Sequence, residues 1–398
     1  MAQGAAPAQP RAARWVIAAG VCAALHVGKL APAIATLQQA LGLSLVQAGF
    51  LLSLVQGAGM LLGAVFGGVA DGLGGRRSML LGLWLLAAAS ALGGRAENVP
   101  VLMVLRALEG LGFLLVVLPA PGLVRQLVAP GRLSVMLGVW GSYMPLATAL
   151  VLLSGPLWIG HFGWRSWWWL LAALTAAMAL GFARAVPLSA GAPVAGGGAR
   201  LGPLQRLRLT LSAPGPWLVA MCFAMYSGQW LAVVGFLPAI YAQAGVSGAA
   251  TGLLTALAAA VNMLGNLASG RLLHRGARPA WLLTTGFVVM ALAAAAAFGT
   301  AWPPATRYVA VLLFSGVGGL IPATLFALAV RVAPGEGLLA TTVGWVQQWS
   351  ALGQFAGPPL VAWVASVCGG WQWTWVATGA CSLGGLGLTA LLARRPTR

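Results

Sequence analysis

Gly67-Gly68-Val69-Ala70-Asp71-Gly72-Leu73-Gly74-Gly75-Arg76-Arg77 sets six small residues, one carboxylate and two arginines between long apolar stretches. Glycine permits a tight turn and close helix approach. Asp71 is suited to accept hydrogen bonds from a neighbouring helix N-terminus, and Arg76 and Arg77 to latch helix ends together. A loop of this kind belongs between two membrane spans. The rest of the chain agrees: of 398 residues, 60% are hydrophobic and only 7% charged, against about 25% charged in an ordinary globular domain. Twenty-two basic and four acidic side chains cannot build a water-facing surface of this size.

A span takes about 20 mainly apolar residues. Hydropathy and punctuation predict helices near 15–38, 44–70, 79–95, 100–123, 133–160 and 165–186, and again near 215–243, 247–272, 280–300, 305–331, 338–366 and 371–393. The expected fold is an all-α polytopic membrane protein with twelve transmembrane helices in two pseudo-symmetric six-helix bundles. The first bundle takes 1–186 and the second 215–398. A linker over 187–214 separates them, Ala/Gly/Pro-rich from Ser189 to Ala199 and then basic through Arg200, Arg206 and Arg208. That composition reads as flexible, with a surface-lying segment.

The two sets of helices look like copies. An offset of 202 relates Trp15 to Trp217, Gly63 to Gly265, Gly68 to Gly270, Gly74 to Gly276 and Gly155-Pro156 to Gly357-Pro358. Val128-Ala129-Pro130-Gly131 recurs as Val332-Ala333-Pro334-Gly335. Duplicated halves of this kind hold substrate at their interface and expose it to either side in turn.

The net charge of +18 does not point to nucleic acid, because the arginines stand singly or in pairs in the loops with no basic domain. Their side of the bilayer carries Arg76, Arg77, Arg125, Arg132, the linker, Arg271, Arg275, Arg278, Arg331 and the tail, whereas the other side carries little beyond Arg95, Glu97, Arg165 and Arg307. The positive-inside rule makes both termini cytoplasmic. The first apolar run, from Trp15, reads as a retained helix rather than a signal peptide because spans keep following it. Trp158, Trp164, Trp167, Trp168 and Trp169 are expected at the opposite headgroup layer. Cys22, Cys222, Cys368 and Cys381 lie in apolar runs without disulfide or zinc spacing and read as packing residues.

Charges inside spans are rare and costly, about 2.5–3.5 kcal/mol each on insertion scales. Helix 4 holds two, in Arg106-Ala107-Leu108-Glu109-Gly110-Leu111-Gly112; one turn apart, they can neutralise each other or serve as a proton-carrying pair. Helix 1 holds the only lysine, in His26-Val27-Gly28-Lys29-Leu30-Ala31-Pro32. Lys29 either snorkels to the headgroups or, with His26 and Arg106, presents positive charge to an anionic substrate. The second half offers uncharged candidates: Tyr226, Ser227, Gln229 and Trp230 in helix 7, Asn262 and Asn266 in helix 8, Gln347 and Gln354 in helix 11. Helix 5 adds Ser142 and Tyr143. Such groups bind ligands or glue helices.

The loop from Gly67 resembles the signature loop of the major facilitator superfamily, Gly-x-x-x-Asp-(Arg/Lys)-x-Gly-Arg-(Arg/Lys). Gly67, Asp71, Gly74 and Arg76 match it, while Gly72 and Gly75 replace basic positions of the pattern. The helix-4 stretch is similar to the family's Arg-x-x-Gln-Gly-x-Gly, with Glu109 for glutamine. The resemblance implies that the loop is a conformational latch and that Arg106 and Glu109 serve proton coupling. It extends faintly to the cyanate/nitroimidazole transporter group, from which Lys29 departs where an arginine is usual. Gly155-Pro156 resembles the end of the Gly-rich helix 5 of antiporters, without its upstream glycines.

The expectation is therefore a monomeric secondary active transporter in a bacterial inner membrane, proton-coupled through Glu109. It moves a small anionic or polar solute past Lys29, His26, Arg106, Tyr143, Tyr226, Gln229, Trp230, Asn262 and Gln347. Its partners are that solute, protons and the lipid bilayer; no nucleic acid, metal or cofactor is implied. The alternative is a proton-driven exporter of drugs, a siderophore or another amphipathic metabolite. An enzyme is disfavoured, because His26, His161 and His274 sit on separate segments with no nucleophile elbow or metal-ligand pair.

Overall fold

The computed structural model describes residues 9–63, 74–129, 132, 136, 139–188, 202–246, 248–335 and 338–394. Twelve long helical segments run through them. In chain order they are α1 (Pro10–Leu41), α2 (Leu45–Gly63), α3 (Gly75–Gly93), α4 (Val99–Leu127), then Val139–Ala185, which Gly163 divides into α5 and α6. There follow α7 (Pro214–Gln243), α8 (Gly248–His274), α9 (Pro279–Phe298), α10 (Pro304–Val332), α11 (Leu339–Val367) and α12 (Trp371–Ala393). A short helix, Pro203–Ser212, precedes α7. The expected segment 133–160 is helical from 139 among the described residues, and Gly67 to Leu73, with Asp71, lie outside them.

The duplication read from glycines and prolines has a backbone counterpart. All seven described residues with strongly positive φ are glycines, and six of them sit in matching loops. Gly42 (φ 66°) and Gly245 (φ 78°) close α1 and α7, Gly74 (φ 81°) and Gly276 (φ 87°) precede α3 and α9, and Gly163 (φ 78°) and Gly369 (φ 76°) end α5 and α11. A side chain with a Cβ resists that left-handed conformation, so three chain reversals in each half are fixed by the same residue type. Gly155 meets Pro32 of α1, and its counterpart Gly357 meets Gly228 of α7; the helix 5–helix 1 contact is thus repeated six helices on.

Between the halves, α2 lies along α11. Gly49 approaches Pro358 and Pro359, Gly59 meets Ala351 and Gly63 meets Gln348. Gln56 donates to Gln354 Oε1 at 3.0 Å and Gln348 to the Met60 carbonyl at 2.8 Å. Towards the face opposite the chain ends, Gly252 of α8 packs on the Leu152 and Leu153 carbonyls of α5. There α1 and α7 frame a cleft of about 400 Å³ lined by Ala35, Gln38, Gln39, Ala239, Ala242 and Gln243.

Candidate functional site

Two breaks in helix regularity free the carbonyls that build the site. In α1 the regular helix stops at Gly28 and a 3-10 turn follows at Ala31–Ala33, where Pro32 has no N–H to give. Ala33 N–H then bonds Leu30 O, and the Lys29 carbonyl accepts the Trp167 indole N–H at 3.1 Å instead. In α2 a 3-10 turn forms at Leu54–Gln56. Just before it, the Leu51 carbonyl accepts from Arg106 Nε at 3.1 Å.

The glycines of helix 4 bring the charged side chains to these breaks. A Cβ at Gly110 would lie 2.5 Å from the Val55 carbonyl oxygen of α2, and one at Gly112 would lie 2.8 Å from the Gly82 oxygen of α3. Only glycine lets α4 come this close to both neighbours. At that distance Arg106 Nη1 donates to His26 O at 2.7 Å and to Glu109 Oε2 at 2.5 Å. Lys29 Nζ is paired with the other carboxylate oxygen, Glu109 Oε1.

The cluster is sealed: Lys29, His26 and Arg106 have no exposed surface and Glu109 has 1%. Lys29 therefore does not snorkel. Its three ammonium protons are placed on Glu109 Oε1, Ser90 Oγ at 2.9 Å and His26 Nδ1 at 3.3 Å. Ser90 Oγ passes its own proton to the Trp168 carbonyl at 2.9 Å. The Thr175 hydroxyl donates to Leu171 O at 2.7 Å, so at 2.7 Å from His26 Nε2 it must accept. This bookkeeping assigns a neutral His26 with its proton on Nε2 and the Nδ1 lone pair towards Lys29. With Lys29, Arg106 and Glu109 ionised the centre carries a net +1. The Trp168 ring, 4.8 Å from Lys29 Nζ, faces the ammonium. Arg106 Nη2 is buried without a partner among the described residues.

Hydropathy pointed to Lys29, His26, Arg106 and Glu109 but not to Ser90, Thr175 and Trp168, which complete their shell. The tryptophans expected at the headgroups are split. Trp164, Trp167 and Trp168 are buried and Trp169 is 46% exposed; Trp167 and Trp168 turn inward to the Lys29 carbonyl and ammonium, and Trp164 packs edge-to-face on Trp168.

A second network occupies the matching place in the other half, on α7, α8 and α10. Asn262 Nδ2 donates to Tyr226 Oη at 3.0 Å and to Ser315 O at 2.8 Å, Asn266 Nδ2 donates to Asn262 Oδ1 at 3.0 Å, and Trp230 Nε1 donates to Ser315 Oγ at 3.0 Å. It contains no charge. Gln229 turns away, accepting from Ser382 of α12 at 3.1 Å. Tyr143 stacks on Trp140 at 4.5 Å between ring centres, apart from both networks, and Gln347 is half-buried on α11. Of the expected latch, Gly74 supplies the left-handed turn, and Arg76 bonds Val186 O at 2.8 Å and Ala183 O at 2.6 Å, capping α6; Arg77 is exposed, and Gly67 and Asp71 lie outside the described residues. Among the described residues no three His, Cys, Asp or Glu side chains group as metal ligands.

Residues 16–358 match the Major Facilitator Superfamily. The chain belongs to that superfamily. The same fold is found in a bacterial homolog of the human lysosomal transporter Spinster. Its inward-facing, unoccupied structure aligns with a TM-score of 0.78 at 16% identity, covering 98% of each chain. Its inward-facing, occupied structure aligns with a TM-score of 0.81 at 14% identity and the same coverage. No curated protein sequence matches this one. The superfamily member described here is an integral membrane transporter of the secondary type, built on twelve helices in two pseudo-symmetric bundles, and not an enzyme.

Proposed function

We propose that this transporter moves a small anionic or polar organic solute by alternating access, driven by protons through the Glu109 centre. The observation that carries the reading is the sealed Lys29–Glu109–Arg106–His26 cluster. Ionisable groups inside a membrane domain mark ion or proton pathways, and this one has two cations for one carboxylate. Neutralising Glu109 with a proton loosens its hold on both Lys29 and Arg106, whose other contacts fix α1 and α2. The net positive charge favours an anion, and the uncharged network of α7, α8 and α10 supplies hydrogen bonds from the other half.

In this reading the halves 1–186 and 215–398 rock about the linker 187–214. Both chain ends lie in the cytoplasm, the chain is a monomer, and the membrane is a bacterial inner membrane. The contacts of α1 with α7 and α5 with α8 lie at the face opposite the chain ends, which suits a state closed outside. The structurally similar Spinster homolog is described as inward-facing. Latch residues Gly67, Asp71, Gly74, Arg76 and Arg77 would bind the cytoplasmic ends in the opposite state.

The test begins with purified protein screened by thermal shift for an anion that stabilises it. That anion is then offered to reconstituted vesicles with and without an inward proton gradient. Accumulation above equilibrium only with the gradient supports the reading. Equal uptake under both conditions removes the proton.

A further inference from the structure

We propose a binding site for an anionic phospholipid in the cleft between α3 and α6 at the face opposite the chain ends. The cleft has a volume of about 410 Å³ and is lined by Ala91, Leu92, Arg95 and Trp169. Leu92 is 52% exposed and Trp169 46%. The exposed side chains continue down α3 as Ala88, Trp84 and Leu81. They follow the helical period on one face, so an acyl chain finds a continuous apolar track below the cleft.

The mouth of the cleft is cationic. Arg95 stands two residues beyond the end of α3, and Arg165 one residue inside α6. Both are exposed. The two segments touch: a Cβ at Gly94 would lie 3.0 Å from the Arg165 carbonyl oxygen. Arg165 stacks on the Trp164 ring at 4.9 Å, which leaves the edge of its guanidinium free to donate. Among the described residues every ion pair belongs to the buried cluster; Glu97, two residues from Arg95, pairs with neither arginine. Two unpaired guanidinium groups at headgroup depth match a phosphate better than a zwitterion, since arginine binds phosphate oxygens in bidentate fashion. Trp169 is held in place by its N–H bond to Ala91 O at 3.2 Å, the amphipathic arrangement favoured where acyl chain meets headgroup.

The site adjoins the charged centre. Trp169 Nε1 bonds Ala91 O on the lipid side, and one residue earlier on each helix Ser90 Oγ bonds Trp168 O and accepts from Lys29. These are two rungs of one contact between α3 and α6. A lipid seated on the outer rung braces the inner one.

The test is thermal unfolding of the detergent-purified full chain with added phosphatidylglycerol, phosphatidylcholine or inorganic phosphate. Phosphatidylglycerol is expected to raise the melting temperature more than phosphatidylcholine, and inorganic phosphate to do nothing. The Arg95→Ala/Arg165→Ala variant should lose most of that increment, and Arg271→Ala, on the opposite face, should keep it. Equal stabilisation by the two lipids, stabilisation by inorganic phosphate alone, or a full increment in the double variant would each overturn the proposal. If the double variant does not fold, native mass spectrometry of the single Arg95→Gln and Arg165→Gln variants decides. Retained phosphatidylglycerol must fall relative to wild type, and unchanged retention refutes the site.

Discussion

Lys29, Glu109 and Arg106 are each expensive inside a membrane domain, and each is tolerable because of the others. Removing one member of a buried ion pair costs about 3–5 kcal/mol, because the remaining charge is left uncompensated. Glu109→Gln and Lys29→Met should each lower the unfolding midpoint strongly. The double variant, which leaves Arg106 as the single charge, should lose much less than the two effects combined. Denaturation of the four proteins in detergent gives the coupling, and additive losses would mean the two side chains do not interact. At this scale the sequence revealed a great deal, since a lone lysine and a helix-4 acid stand out against an apolar background. Ser90 and Thr175 did not stand out. Small hydroxyl residues are common in membrane helices, and their role depends on the rotation of α3 and α6 about Lys29.

The elements are held at working distance by absent side chains. Gly110 allows α4 to rest on the Val55 carbonyl, a backbone atom that cannot step aside. Gly110→Ala should therefore push α4 off α2, lengthen the Arg106–Leu51 contact and cost about 1–3 kcal/mol, as overpacking does. Gly122→Ala, on the same helix with open space around it, should be near neutral in the same melting experiment. Equal effects would remove the packing argument. The helix count and most helix ends were legible from hydropathy and glycine. The 3-10 turn at Leu54–Gln56 was not, since no proline marks it. The Gln56–Gln354 hydrogen bond depends on which face α2 turns to α11, and Gln354 was read only as an uncharged candidate in helix 11.

Across the whole molecule, similar halves have diverged in charge. The α1/α4 centre is ionic, and its counterpart on α7, α8 and α10 is neutral. The contact between Gly252 and the Leu152 and Leu153 carbonyls closes α5 on α8, and a large side chain there cannot be accommodated. Gly252→Trp should separate those helix ends. Spin labels at Gly160 and Gly248, both in open space, should report a longer distance than in the same labelled pair without Gly252→Trp. An unchanged distance would mean this contact does not close the outer face. The pseudo-symmetry was visible in the sequence as repeated glycines, and the backbone explains it through the paired left-handed turns. The relation between the halves was not visible, because it arises from side chains 298 residues apart, as in Gln56 and Gln354.

In the proposed mechanism Glu109 is the group that links proton movement to solute movement. The most direct measurement compares wild type and Glu109→Gln in reconstituted vesicles, using the anion chosen by thermal shift, under an imposed proton gradient and in solute exchange without one. The variant should exchange solute at a rate close to wild type and fail to accumulate it. Gradient-driven accumulation that survives in Glu109→Gln would contradict the account.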